Sequence, residues 1–243
     1  MKNFIVQLAG GVLISSFFFS CTNQETPVYE KRQADSTHQK TEEHGHHHHQ
    51  DANAYMNESE FEELVDRFEN PSRNEWQKPE EVIQLLGDLK GKTILDIGAG
   101  TGYYSFRFAE KAEKVIAADV DERFLEYMED KNLNLGKKNM EFRKAEMNNP
   151  PILENEADVV ILVDVYHHID RRKTYFSALK KGLKKGGHLF IIDFKKGDLP
   201  QGPPNEMKIG PNTVIQEMKE AGFQSELMDT TTLPYQYVLK FGH

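Results

Sequence analysis

ILDIGAGTGYYS, residues 94–105, begins as an apolar run of strand character and breaks into a turn with glycines at 98, 100 and 102. Asp96 stands two residues before the first glycine. The dinucleotide fingerprint requires G-x-G-x-x-G, and Tyr103 occupies the place of its last glycine. A phosphate-cradling P-loop requires Gly-Lys-Ser/Thr after four spacers, and neither Lys nor Ser falls in register here. The turn lets a ligand approach its backbone closely, but that ligand is not a pyrophosphate.

Working outward, strand-like and helix-like segments alternate. Residues 92–97, 114–119, 140–144, 158–164 and 188–194 read as strands, and 102–111, 121–133, 171–183 and 211–221 as helices. This alternation predicts a doubly wound α/β fold, a mostly parallel seven-stranded Rossmann-like sheet with helices on both faces. FQSELMDTT and YQYVLKF near the end are strand-like and separated by only Leu233 and Pro234. So short a link permits an antiparallel hairpin and no helical crossover. Before the turn, apolar residues at 61, 64, 65 and 68 have helical spacing, and Pro79 opens a second amphipathic helix that Gly87 ends.

In an open α/β sheet, ligands sit beyond the carboxyl ends of the strands. The helix expected from Gly102 directs its free N–H groups toward that place. Asp96 repels phosphate there and suits a cationic group such as an amino-acid ammonium. Asp119 ends the second strand about 20 residues after the glycines, where an acid accepts both hydroxyls of a ribose. Glu146, after the third strand, offers a carboxylate to an exocyclic amine. Amino-acid end, ribose and adenine together describe S-adenosylmethionine (SAM).

LDIGAGTGYYS, VIAADVD, RKAEMN and ADVVILVDVYHHI together resemble the class I SAM-dependent methyltransferases of the type 11 kind over about residues 91–241. The resemblance implies that Asp96, Gly98, Ala99, Gly100, Thr101 and Gly102 position the methionine portion of the cofactor. It implies that Asp119 with Val120 holds the ribose, that Ala145 and Glu146 face the adenine, and that Asp164 belongs to the cofactor site. Each acid also has a plainer reading: Asp96 as a turn cap, Asp119 as the N-cap of the next helix, Glu146 as a solvated loop acid. The only tryptophan, Trp76, either closes over the cofactor or packs the leading helices on the domain.

VDVYHHID places Tyr166, His167 and His168 where the family keeps its catalytic edge. Methyl transfer is an in-line displacement, so a methyltransferase chiefly orients donor and acceptor and excludes water. Where the acceptor carries a proton, a histidine is the side chain best suited to take it. The same paired histidines also serve simply to shape a pocket. No D/N-P-P-Y/F signature is present, which disfavours amide or ring-nitrogen acceptors; the acceptor expected is a small molecule, its identity not given by the sequence.

The chain has 243 residues, a net charge of −9 and one cysteine, Cys21. The charge argues against general nucleic-acid binding. The single cysteine excludes an intramolecular disulfide and a cysteine metal site. Residues 4–19 form an apolar run shorter than the roughly 18 residues of a spanning helix. Followed by Ser20, Cys21 and the polar TNQET, it resembles a bacterial lipoprotein signal, although Phe18 stands where Leu or Val is usual; a plain cleaved signal and an uncleaved anchor are the alternative readings. The implied organisation is a signal at 1–21 with Cys21 lipidated, a disordered His-rich tether at 22–54, a helical lead-in at 55–90 and the methyltransferase domain at 91–243. Six of the ten histidines lie between His38 and His49, a tract suited to weak transition-metal binding but to no catalytic role. The lead-in FENPSRNEWQKPEEV is also similar to that of secreted or lipid-anchored methyltransferase-like proteins with His-rich leaders. The competing functional reading is a lipid-anchored envelope protein that uses the same fold for binding or scaffolding, without catalysis.

Overall fold

The computed structural model describes residues 60–242; the signal-like segment, Cys21, the histidine tract and the start of the lead-in lie outside the described residues. Three lead-in helices come first: α1 (Phe61–Glu69), α2 (Arg73–Gln77) and α3 (Pro79–Leu86). Then follow β1 (Thr93–Ile97), α4 (Ser105–Phe108), β2 (Lys114–Asp119), α5 (Glu122–Leu135), β3 (Met140–Lys144) and β4 (Ala157–Val163). After a 3₁₀ turn at Tyr166–His168 come α6 (Arg172–Gly182), β5 (Leu183–Phe194), α7 (Pro211–Glu220), β6 (Gln224–Asp229) and β7 (Gln236–Gly242).

The seven strands form one sheet in the order β3-β2-β1-β4-β5-β7-β6. β3, β2, β1, β4 and β5 run parallel, while β7 is antiparallel to both β5 and β6. The expected sheet and its terminal hairpin are therefore present. The central strands are apolar on both faces, as helix-covered parallel strands must be. Leu95, Val160, Leu162, Leu189 and Ile191 face α6 and α7 through Phe176, Leu179, Val214 and Met218. Ile94, Val159, Ile161, Phe190 and Ile192 face the opposite way, toward α3 and Phe108.

Two element boundaries depart from the sequence reading. The helix expected over 102–111 shrinks to the single turn of α4, and at its expected start Gly102 has a φ of +77°, a value no right-handed helix contains. β5 begins at Leu183, before the expected start at His188. Its pairing with β4 shifts between Ala157 and Val159, and Gly186 at φ +76° lets the chain bulge there. α5 shows the expected logic in full. The Asp121 side chain accepts from the Arg123 amide at its start, and Gly136 at φ +64° closes its end.

Phe176 is fully buried beneath β4 and stacks on Tyr166 at 5.4 Å. Phe176→Ala is expected to cost about 3–5 kcal/mol of folding stability, read as a lower urea midpoint without a change in slope.

Candidate cofactor and catalytic site

The glycine turn is fastened to β2. The amides of Gly98 and Ala99 donate to the Ala118 carbonyl at 2.8 and 3.1 Å, and the Gly100 amide donates to Oδ2 of Asp119 at 2.8 Å. The Gly102 amide closes on the Ala99 carbonyl at 2.9 Å. These four amides are thus engaged within the protein. The expectation of free donors at a helix start therefore does not hold for Gly102 itself, whose amide is used within the turn.

Beside the turn lie buried carboxylates. Asp96, at the second-last position of β1, is 3% exposed and accepts from the Ser105 hydroxyl at 2.5 Å. Burial raises its pKa to about 6, against the help of that hydroxyl, and nearby Asp119 pushes the same way. Asp119, 6% exposed, also accepts the Asp121 amide at 2.9 Å. Burial raises its pKa as well, opposed by the Asp121 and Gly100 amides. Each carboxylate oxygen has more than one acceptor site, so Asp119 retains capacity for ribose hydroxyls.

Gly98 and Gly100 let Val165 and Phe68 pack directly on the turn. A Cβ on Gly98 would lie 2.3 Å from Cγ2 of Val165, and one on Gly100 would lie 3.3 Å from the Phe68 ring. The hydroxyl of Thr101 is buried with no hydrogen-bond partner among the described residues. An orphaned hydroxyl, two desolvated acids and a glycine-rich turn fit a ligand with a cationic end and hydroxyls, as SAM has.

The adenine side is more open. Ala145 is buried, and its amide donates to the Asp119 carbonyl at 2.8 Å. Val120 is 44% exposed and borders a shallow depression formed with Asp121, Glu122, Arg123 and Lys144. Glu146 lies on an exposed turn, where Asn149 donates to it at 2.7 Å.

Asp164 ends β4 with φ +59°. Its carboxyl group takes Nε2 of Gln77 at 2.8 Å and Nε2 of Gln236 at 2.6 Å. Burial raises its pKa to about 7, reinforced by Asp193 and opposed by Arg73. Arg73 itself donates to the Phe68 carbonyl and lies 4.1 Å from the centre of the Tyr103 ring. The lead-in therefore reaches the site through Phe68, Arg73 and Gln77. Gln77, Gln236 and Arg73 escape sequence reading because their partners are far along the chain.

The 3₁₀ turn separates the three residues read as the catalytic edge. Tyr166 is fully buried against Phe176 and donates its hydroxyl to Glu217 of α7, a partner shared with Arg172. The expected place of Tyr166 on the catalytic edge is thereby corrected: its hydroxyl is committed between α6 and α7. The His167 side chain is 4% exposed, and its Nδ1 lies 2.9 and 3.0 Å from the two oxygens of Asp193 on β5. The His168 ring lies 4.3 Å from that of His167. Asp193, the partner of His167, is a site residue that the sequence reading did not single out. Its signal was there: one acid in the apolar run LFIIDF, in phase with Leu189 and Ile191. Trp76 packs on Phe194 and Tyr235 at 5.9 and 6.2 Å, so of its two readings the structure shows the packing one.

A family profile described as a methyltransferase domain matches residues 88–236. The chain belongs to the class I SAM-dependent methyltransferases. It is 28% identical over 76% of its length to a SAM-dependent methyltransferase from Aquifex aeolicus, with a TM-score of 0.71 and 99% of that chain covered. A second solved methyltransferase, from Mesorhizobium loti, shares the fold at a TM-score of 0.58 and 12% identity, over 72% of this chain and all of that one. Among curated sequences, a ubiquinone/menaquinone biosynthesis C-methyltransferase from Azotobacter vinelandii is 28% identical over 118 residues, 47% of each chain. The chain spans about half the length of the curated relatives it matches.

Two outcomes follow from this geometry. Gly98→Ala is expected to cost about 1–2 kcal/mol through its left-handed backbone and a further 1–3 kcal/mol through overlap with Val165. Adding Val165→Ala should recover only the second part in urea unfolding. The second outcome concerns pH. Asp164 has an ordinary value of 3.8 and a folded value of about 7, so between those limits the folded state holds a proton the unfolded chain has lost. Stability therefore falls as pH rises through that window, and Asp164→Asn should flatten the slope relative to wild type.

Proposed function

We propose that the protein transfers a methyl group from SAM to a small-molecule acceptor at the carboxyl edge of β4 and β5. One observation carries the reading: the glycine turn is fastened by amides of Gly98, Ala99, Gly100 and Gly102, and two desolvated carboxylates, Asp96 and Asp119, are buried beside it. Asp96 suits the ammonium end, with Gly98, Ala99, Gly100, Thr101 and Gly102 shaping the methionine side. Asp119 suits the ribose hydroxyls, and Val120, Ala145 and Glu146 flank the adenine. Asp164 serves this site by fixing the end of β4 through its two glutamine partners. When bound, the cofactor supplies an electrophilic methyl group whose departure leaves a neutral thioether.

His167 and His168 are the groups at this edge able to take a proton from an acceptor. The relatives named for ubiquinone and menaquinone biosynthesis make a reduced quinone ring the first acceptor class to test. The N-terminal features extend the proposal to the cell envelope, with Cys21 lipidated and the histidine tract available to metal. Cys21→Ser should leave the protein unprocessed or soluble, where wild type fractionates with membranes. Wild type found wholly in the cytoplasm with Met1 retained would reject that extension.

Asp119→Ala should weaken SAM binding by roughly 1.5–3 kcal/mol in calorimetry while the fold is kept. Unchanged affinity would reject the ribose assignment. No binding by the wild type itself would shift the weight to a scaffold without catalysis.

A further inference from the structure

Asp193 is fully buried in β5, and every hydrogen bond it accepts comes from one small region. Its Oδ1 takes the Phe194 amide at 2.7 Å, its Oδ2 takes the His167 amide at 3.2 Å, and both oxygens face Nδ1 of the His167 ring. A buried carboxylate at 2.9–3.0 Å from a ring nitrogen requires the proton to be on that nitrogen. The neutral ring is then the Nδ1–H tautomer, and its basic lone pair is on Nε2. The backbone bond from the same residue fixes the ring's pivot, so the carboxylate sets both the tautomer and the orientation of the imidazole.

We infer that Asp193 is a positioning residue for methyl transfer, holding His167 with Nε2 as the atom that takes the acceptor's proton. The inference rests on the methyltransferase reading above. As the acceptor gives its electron pair to the incoming methyl carbon, its O–H, N–H or C–H proton passes to Nε2. The bond broken at the methyl group leaves its pair on sulfur, and the imidazolium formed is balanced by the Asp193 carboxylate. Product release returns the proton to solvent.

The surrounding charges favour that cation. Burial disfavours charge on the ring, but the Asp193 field and hydrogen bond, with Asp164 adding to them, hold the His167 pKa above its ordinary value. Asp193 faces the ring from β5 and Asp164 from the end of β4, while His168 lies beside it in the same turn. Arg73 of α2 is near enough to Asp164 to offset part of its field. Tyr237 of β7 and Tyr166, with its Glu217 and Arg172 partners, complete the titratable groups around Asp193. The base form of His167 is thus gained only above the usual histidine range, so activity is expected to rise with pH through that raised value.

The test uses the full chain with ¹⁵N-labelled histidine, titrated by NMR in wild type and Asp193→Asn. The wild-type ring should show the Nδ1–H tautomer and a raised pKa; Asp193→Asn should lose the tautomer preference and titrate at lower pH. A wild-type Nε2–H tautomer, or a titration unmoved by Asp193→Asn, would overturn the inference without any activity measurement. Turnover is read with methyl-labelled SAM and a reduced 1,4-naphthoquinone as probe. Asp193→Asn should lower it about 100-fold with SAM affinity kept, and shift the rising limb of the pH profile toward acid. Asp193→Glu should restore part of the rate. Equal turnover in wild type and Asp193→Asn would show the pair to be structural only. Loss of the methyltransferase reading itself registers separately, as absent SAM binding in the wild type.

Discussion

Burial of carboxylates at one end of a parallel sheet is the constraint on which the site depends. Asp96, Asp119, Asp164 and Asp193 lie within one residue of the carboxyl ends of β1, β2, β4 and β5, and their hydrogen-bond donors are hydroxyl, amide and imidazole groups rather than lysine or arginine side chains. Enclosing an acid without a cation in direct contact is unfavourable, and the raised pKa values of Asp96, Asp119 and Asp164 measure that cost. Such strain persists where a ligand or a reaction uses it. A cationic sulfonium ligand with an ammonium end relieves it, which makes the free protein a partner waiting for positive charge.

The lead-in helices complete this arrangement. α1 brings Phe68 against Gly100 and onto Phe124 of α5 at 5.6 Å, while Glu69 pairs with Lys131 at 2.8 Å. α2 brings Arg73, the only guanidinium named among the influences on both Asp96 and Asp164, and Gln77, whose amide holds Asp164. The same segment that covers the turn therefore tunes the acids behind it.

The sheet was legible because its signals are local: apolar runs of strand length, glycine and proline punctuation, and a hairpin too short for a crossover. The Asp96 and Asp119 positions were legible for the same reason, each lying at the end of such a run. What escaped depends on groups distant in sequence or on local geometry finer than periodicity. Gln77 and Asp164 are 87 residues apart, and nothing in either neighbourhood announces the other. Tyr166 and His167 are adjacent, yet a 3₁₀ turn rotates successive side chains by about a third of a circle, sending one into the core and the other to Asp193. A helix drawn from Gly102 ignored that this glycine is itself left-handed, so that no helix begins on it.

The central claim is that a cationic cofactor binds to desolvated acids, and proton release on binding tests it most directly. With Asp96 at about 6 in the free protein, a fraction of that carboxyl carries a proton near pH 6 and must lose it when a cation arrives. Calorimetry of SAM binding at about pH 6, in buffers of different ionisation heat, should show net proton release that is smaller at about pH 8 and smaller in Asp96→Asn than in wild type. SAM binding with no proton release at either pH would contradict the account, as would proton uptake.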